Sequence, residues 1–68
     1  MSPKRLSRVI QTRREAAHLT QRDLAAKAKV TPGYIAQLEL GTKKNPSLDV
    51  LKRLAKALGV PVGELLQQ

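Results

Sequence analysis

The polar residues best placed to contact a ligand lie between Thr20 and Leu40, in the segment TQRDLAAKAKVTPGYIAQLEL. This segment contains two short helical patterns separated by only a few residues, and a threonine precedes each of them. The second pattern carries Tyr34 and Gln37 on the side opposite its apolar residues. Two capped helices this close together are typical of a helix-turn-helix, in which the second helix is presented to DNA.

The composition limits the chemistry that the chain can perform. Thirteen Lys and Arg against five Asp and Glu give a net charge of +8, which favours a polyanionic partner. With no cysteine and a single histidine, little is left for a metal site, and a reducing cytosol is the expected environment. We find no nucleophile–base pair and no glycine-rich phosphate loop. The sequence therefore predicts neither an enzyme nor a bound cofactor, and no small-molecule ligand is evident.

The elements around this segment are predicted to be helices. The 68 residues suit one domain, and the core would be built from Leu, Ile, Val and Ala, since Tyr34 is the only aromatic residue. No apolar run is long enough to span a membrane. Cap residues and apolar periodicity predict five helices, at about residues 4–17, 21–28, 32–40, 48–58 and 63–67. Their expected inward residues are Leu6, Val9, Ile10, Ala17, Leu24, Ala25, Ala28, Ile35, Leu38, Leu48, Leu51, Leu54, Ala55, Leu58, Leu65 and Leu66.

The steep crossing of the two central helices requires particular residues. Ala25 is small enough to allow close approach, and Ile35 and Leu38 anchor the second helix from its inner side. Val30 fills the turn between the two helices. These residues fix the angle and are expected to be buried, away from DNA.

The ordered series of these residues resembles the lambda-repressor-like (Cro-type, XRE) helix-turn-helix domain. The resemblance runs from about Leu6 to Leu66 and includes Leu19-Thr20-Gln21, Leu24-Ala25, Val30-Thr31, Ile35, Gln37-Leu38-Glu39, Gly41 and the tail LAKALGVPVGELL. It implies a compact all-α domain of five helices over residues 1–68, with the helix-turn-helix formed by helices 2 and 3.

The resemblance also implies that the third helix enters the major groove of DNA. The residues facing the bases would be Thr31, Pro32, Gly33, Tyr34 and Gln37. Gln37 is the best candidate for direct readout, because a carboxamide can pair with adenine N6 and N7; the alternative is a solvent-facing polar residue. Tyr34 could contact a thymine methyl or a phosphate, or pack partly on the helix surface. Pro32 and Gly33 could allow close backbone approach, but we favour ordinary first-turn residues.

A second group of residues is expected to contact the phosphates. The first turns of helices 2 and 4, at Gln21 and Ser47, offer free backbone N–H groups. Gln21 is also similar to the family residue that contacts backbone phosphate. The other candidates are Arg22, Lys43, Lys44 and Asn45, although any one of them could instead be a solvated surface residue.

Four further residues are interpreted through the family. Arg14 and Glu39 are expected to form a partly buried pair that orients the third helix, whereas without the resemblance both would be placed on the surface. Lys29 stands where relatives usually have Gly, so a left-handed conformation there would cost about 1 kcal/mol. Arg13 stands where relatives tend to have an apolar residue, and its aliphatic stem is expected to cover the edge of the core.

The predicted function is sequence-specific binding of double-stranded DNA by a transcriptional regulator, in particular a repressor. A homodimer on a two-fold symmetric operator is expected, with Val60, Pro61, Val62 and Leu66 as the candidate dimer surface. By resemblance the protein is bacterial or phage-encoded and cytoplasmic. The alternatives are an antitoxin-like or bridging module that binds another protein, and the DNA-binding part of a longer repressor. RNA remains a further possible ligand, but one Tyr provides no stacking platform for single strands.

Overall fold

Helices account for all the regular secondary structure in the described part of the chain. The computed structural model describes residues 3–43 and 46–66, in which α1 spans Pro3–Ala16, α2 Gln21–Ala28, α3 Pro32–Leu40, α4 Leu48–Leu58 and α5 Val62–Leu66. The predicted bounds of α2, α3 and α4 are confirmed, and α1 and α5 each begin one residue earlier than predicted. The predicted end of the last helix, Gln67, lies outside the described residues.

Side-chain caps explain where the three middle helices begin. The hydroxyls of Thr20, Thr31 and Ser47 each accept a hydrogen bond from the backbone N–H three residues later, at 3.0, 3.1 and 3.2 Å. Gly41 and Gly59 then end α3 and α4 in the left-handed conformation, with φ of 79° and 72°. A residue with a Cβ would be strained at either position.

The end of α1 differs from the prediction. The helix stops at Ala16, and Ala17, which we expected on the inner face, is exposed. The cause is His18, which takes a left-handed conformation with φ of 59°. The backbone N–H of Leu19 then donates to Arg14 O at 3.1 Å, which closes the helix one residue early.

The core lies between the helix-turn-helix, formed by α2 and α3, and the three other helices. Helix α3 packs against α1 and α2, α4 packs against α2 and α5, and α5 also contacts α1. Ala25, Ile35 and Leu38 are buried, and Leu19 and Val30 are half-buried against the same core, so the predicted anchors of the crossing are confirmed. The other buried apolar residues are Leu6, Ile10, Leu24, Ala28, Leu51, Leu54, Ala55, Leu58 and Leu65.

Two leucines that we expected to face inward are exposed. Leu48 is 52% exposed and Leu66 is 38% exposed. Leu48 is the first residue of α4, and Leu66 is the last residue of α5. For Leu66 the exposure agrees with its other expected role, as a candidate for the dimer surface. Leu40, at the last position of α3, is 77% exposed. No helix among the described residues has the length and apolar character needed to cross a membrane.

Candidate nucleic-acid interface

The first turn of α3 presents its side chains to solvent. Thr31, Pro32, Gly33 and Gln37 are exposed, while Ile35 and Leu38 hold the opposite side of the helix in the core. Pro32 occupies the first helical position, where its missing N–H costs no intrahelical hydrogen bond. A Cβ built on Gly33 would meet no atom within 4 Å, so the protein itself does not require glycine there. The outer face of α3 is therefore free to approach a ligand.

Tyr34 differs from its exposed neighbours. Its side chain is half-buried and packs against the core, as one of our two interpretations of this residue anticipated. Burial raises the pKa of the Tyr34 phenol, and the positive charge of Arg53 opposes that rise. The Lys43 ammonium lies 5.4 Å from the centre of the ring, within cation–π range. Tyr34, at the start of α3, is thus influenced by two cations from other parts of the chain, Lys43 and Arg53.

The loop after α3 is hydrogen-bonded to the helix through a single backbone carbonyl group. The carbonyl oxygen of Gln37 accepts hydrogen bonds from the Thr42 and Lys43 backbone N–H groups at 3.0 and 3.2 Å, and from Thr42 Oγ1 at 3.2 Å. These bonds fix the exposed Lys43 close to Tyr34. The remaining loop candidates, Lys44 and Asn45, lie outside the described residues.

Arg14 and Glu39 form a nearly buried ion pair between α1 and α3. Arg14 Nε and Nη2 donate to the two carboxylate oxygens of Glu39 at 2.6 and 3.1 Å, and the side chains are 13% and 6% exposed. Arg14 Nη1 also donates to Leu19 O at 2.8 Å. The hydrogen bond to Glu39 raises the pKa of Arg14, against the opposing effect of burial.

Gln21 completes this network from the start of α2. Its Nε2 donates to Glu39 Oε1 at 3.1 Å, so one carboxylate joins the first three helices. The Gln21 carboxamide is half-buried and oriented by Glu39, whereas Arg22 and Ser47 are exposed. We expected Gln21 to contact phosphate, and the sequence contained no sign that it also bonds to Glu39.

The turn between α2 and α3 holds a strained lysine. Lys29 has φ of 60°, the left-handed conformation that its place in the turn predicted. Its N–H donates to Ala26 O at 3.3 Å, and the Val30 N–H donates to Ala25 O at 3.0 Å. Arg53 Nη1 of α4 in turn donates to Lys29 O at 3.3 Å. Sequence reasoning missed this role of Arg53, because Arg53 lies 24 positions from the turn residue that it contacts.

Arg13 also has a partner that the sequence did not reveal. Its Nη2 contacts the carboxylate of Glu64 in α5, and its side chain remains 46% exposed. The two residues are 51 positions apart, so no local spacing predicts the pair. It joins the last turn of α1 to α5.

The site therefore offers hydrogen bonds and positive charge. Among the described residues, no group of three or more His, Cys, Asp or Glu side chains could hold a metal ion. The exposed polar groups on α3 match the hydrogen-bonding edges of base pairs. The capped starts of α2 and α4, together with the flanking cations, match backbone phosphates.

Comparison with known proteins places this geometry in a family. The model of the helix-turn-helix family matches residues 10–65. An uncharacterized HTH-type transcriptional regulator of Mycobacterium tuberculosis is 47% identical over 51 residues, which are 75% of this chain and 36% of that protein. The chain thus spans about a third of the length of this relative. This relative is a transcriptional regulator by name, and the family whose model matches is a helix-turn-helix family.

Solved structures share the whole arrangement of helices. The clp gene regulator ClgR from Corynebacterium glutamicum superposes with a TM-score of 0.88 at 32% identity, over 97% of this chain and 69% of that one. The N-terminal DNA-binding domain of SinR from Bacillus subtilis gives a TM-score of 0.86 at 28% identity, over 93% and 91% of the two chains. The chain therefore belongs to the lambda-repressor-like (XRE-type) helix-turn-helix family of DNA-binding transcriptional regulators.

Proposed function

We propose that this domain binds double-stranded DNA sequence-specifically, with α3 in the major groove. The observation that carries the proposal is the division of α3 into two faces. Ile35, Leu38 and Glu39 fix its inner face to the core, to α1 and to α2. Its outer face, with Thr31 and Gln37, is exposed. A rigidly held helix with a free polar face is suited to base readout, since its side chains are already positioned before binding.

The roles within the site follow from the chemistry of each group. Gln37 supports direct readout, because its exposed carboxamide can both donate to and accept from an adenine edge. Thr31 and Tyr34 are proposed to assist at neighbouring bases or phosphates, and Pro32 and Gly33 bring the helix close without adding a side-chain donor. Because so few side chains can contact base edges, part of the specificity is expected to come from the shape of the DNA.

The phosphate contacts are assigned to groups around α3. We assign them to Gln21 and Arg22 at the start of α2, to Ser47 at the start of α4, and to Lys43, Lys44 and Asn45 in the loop. For Gln21, the bond from Nε2 to Glu39 constrains the orientation of the amide, so its backbone N–H at the first position of α2 is the better phosphate donor.

We further propose that the protein acts as a repressor and as a homodimer on a two-fold symmetric operator. A single domain of this size makes few contacts, so two half-sites about 34 Å apart are needed for useful affinity. Pro61 and Leu66 are exposed and available for such an interface. Val60 and Val62 are half-buried against the core of their own protomer and contribute only their remaining surface. Because the relatives described above are bacterial, we propose the bacterial cytoplasm as its location.

A binding selection from random duplex DNA, repeated at several salt concentrations, tests this proposal. The expected result is an enriched motif with two-fold symmetry, with affinity that falls as salt rises. Recovery of no motif, with binding that depends on salt alone, would contradict sequence-specific readout. An absence of binding to any duplex would instead favour the alternative of an antitoxin-like module directed at another protein.

A further inference from the structure

A second basic surface lies beside the recognition helix, outside the contacts assigned above. It is a groove of about 340 Å³ between the end of α2, the turn and α4. Its lining consists of four cationic side chains and one small apolar one, namely Lys27, Lys29, Arg53, Lys56 and Ala57. We call these five residues the α2–α4 groove.

The cations of the α2–α4 groove are held together by the fold. Lys29 projects from the left-handed turn, and Arg53 reaches across to donate to its carbonyl oxygen. The Arg53 guanidinium is also 3.4 Å from Asp49 Oδ2, which neutralises part of its charge. Asp23, one turn before Lys27 on α2, is the acidic residue on which the charge of Lys27 acts. Among residues 3–43 and 46–66, Lys29 and Lys56 make no salt bridge within 4.0 Å, so the groove keeps an excess of positive charge.

The α2–α4 groove lies beside the start of α3. Lys29 stands two residues before Thr31, the N-cap of the recognition helix. Arg53 lies close enough to Tyr34 for its charge to lower the pKa of the phenol, although burial has the larger and opposite effect. Lys43 approaches the same ring from the loop after α3. Lys43 and Arg53 thus both place positive charge near Tyr34, and Arg53 shares the groove with Lys56.

We propose that the α2–α4 groove binds a phosphodiester group of the duplex that α3 contacts. This inference rests on the proposed function, because it extends the same DNA surface beyond the helix starts and the loop. Converging lysines next to a DNA-reading helix match a phosphate backbone, which supplies one negative charge per nucleotide. An acidic peptide is less well matched, since among the described lining residues Ala57 alone is apolar, and it offers no pocket for an anchoring side chain.

The test compares Lys27→Ala and Lys56→Ala with a control that removes a cation elsewhere. Arg8→Ala serves as the control, because Arg8 is exposed on α1 and lines a different depression, which shares no residue with the α2–α4 groove. Affinity for the selected duplex is measured across a range of potassium chloride concentrations. Helical content by circular dichroism identifies any variant that fails to fold.

Each groove variant is expected to weaken binding and to reduce the slope of log affinity against log salt by about one, while Arg8→Ala leaves the slope unchanged. In the unmodified protein, the amide signals of Lys29 and Ala57 in a ¹⁵N-resolved spectrum are expected to shift on adding the duplex. Groove variants with the slope and affinity of Arg8→Ala, together with unshifted amides, would overturn the inference and leave the proposed function intact. Failure of the unmodified protein to bind any duplex would overturn the proposed function as well.

Discussion

At the scale of single residues, Glu39 is the group through which α3 is bonded to two other helices. It accepts from Arg14 of α1 and from Gln21 of α2, and it is almost fully buried. The residue types alone could not predict this, because Arg14 and Glu39 are 25 positions apart and isolated charged residues are expected on the surface. Only the resemblance to the family implied the pair, and the bond from Gln21 came from the structure.

Removing the Glu39 carboxylate should therefore destabilise the protein strongly. Glu39→Ala leaves the Arg14 guanidinium nearly buried without its partner, and we expect the free energy of unfolding to fall by about 3–5 kcal/mol. The measurement is urea unfolding followed by circular dichroism. Loss of helical structure without denaturant would be the extreme form of the same result.

Glu15→Ala is the matched control for this experiment. The Glu15 carboxylate is 3.9 Å from Arg14, but its side chain is 61% exposed, so its removal should change stability by less than about 1 kcal/mol. Equal losses for Glu39→Ala and Glu15→Ala would show that the buried pair does not hold α3 in place.

At the scale of elements, the helix-turn-helix was largely predictable and its turn was predictable only in part. The caps at Thr20 and Thr31 depend on local chemistry, so their positions follow from the sequence. The conformation of Lys29 followed from the family's glycine at that position. The Arg53 contact that covers the turn depends on how α4 packs across α2, and local sequence does not encode it.

Relieving the backbone strain at Lys29 should raise the stability of the protein and lower its affinity for DNA. Glycine adopts the left-handed conformation without the Cβ clash, so Lys29→Gly is expected to raise the free energy of unfolding by roughly 0.5–1 kcal/mol. The same change removes a cation from the α2–α4 groove, and affinity for DNA should fall. Thermal or urea unfolding and a duplex titration measure the two effects.

Lys52→Gly provides the comparison for this substitution. Lys52 is exposed in the middle of α4, where glycine should lower the free energy of unfolding by about 1 kcal/mol. If both glycine variants were destabilised to the same extent, the left-handed turn would carry no strain that glycine relieves.

At the scale of the whole molecule, the order of five helices and most of the core could be predicted from periodicity and caps. The errors lie at helix ends, at Ala17, Leu48 and Leu66, where a periodic pattern continues but no neighbouring element covers the residue. The Arg13–Glu64 contact between α1 and α5 was also missed, since it depends on how α5 packs against α1. Tertiary placement, rather than local propensity, decides these positions.

The exposed end of α5 gives a prediction about assembly. If Pro61 and Leu66 lie in a dimer interface, the protein should sediment as a dimer at tens of micromolar, and Leu66→Ser should shift it toward monomer. Leu40→Ser is the control, because Leu40 is an exposed leucine at the end of α3 rather than on α5. A monomeric protein that also binds its DNA without cooperativity would exclude the dimer.

The most direct test of base readout by α3 compares Gln37→Ala and Lys43→Ala on the selected duplex and on every single-base-pair variant of it. We predict that Gln37→Ala reduces discrimination at one base pair per half-site by about 1–3 kcal/mol and leaves the other positions selective. Lys43→Ala should instead weaken binding to all the duplexes by the same factor and lower the salt slope by about one. Identical specificity profiles for the two variants would contradict the assignment of base contact to Gln37 and phosphate contact to Lys43.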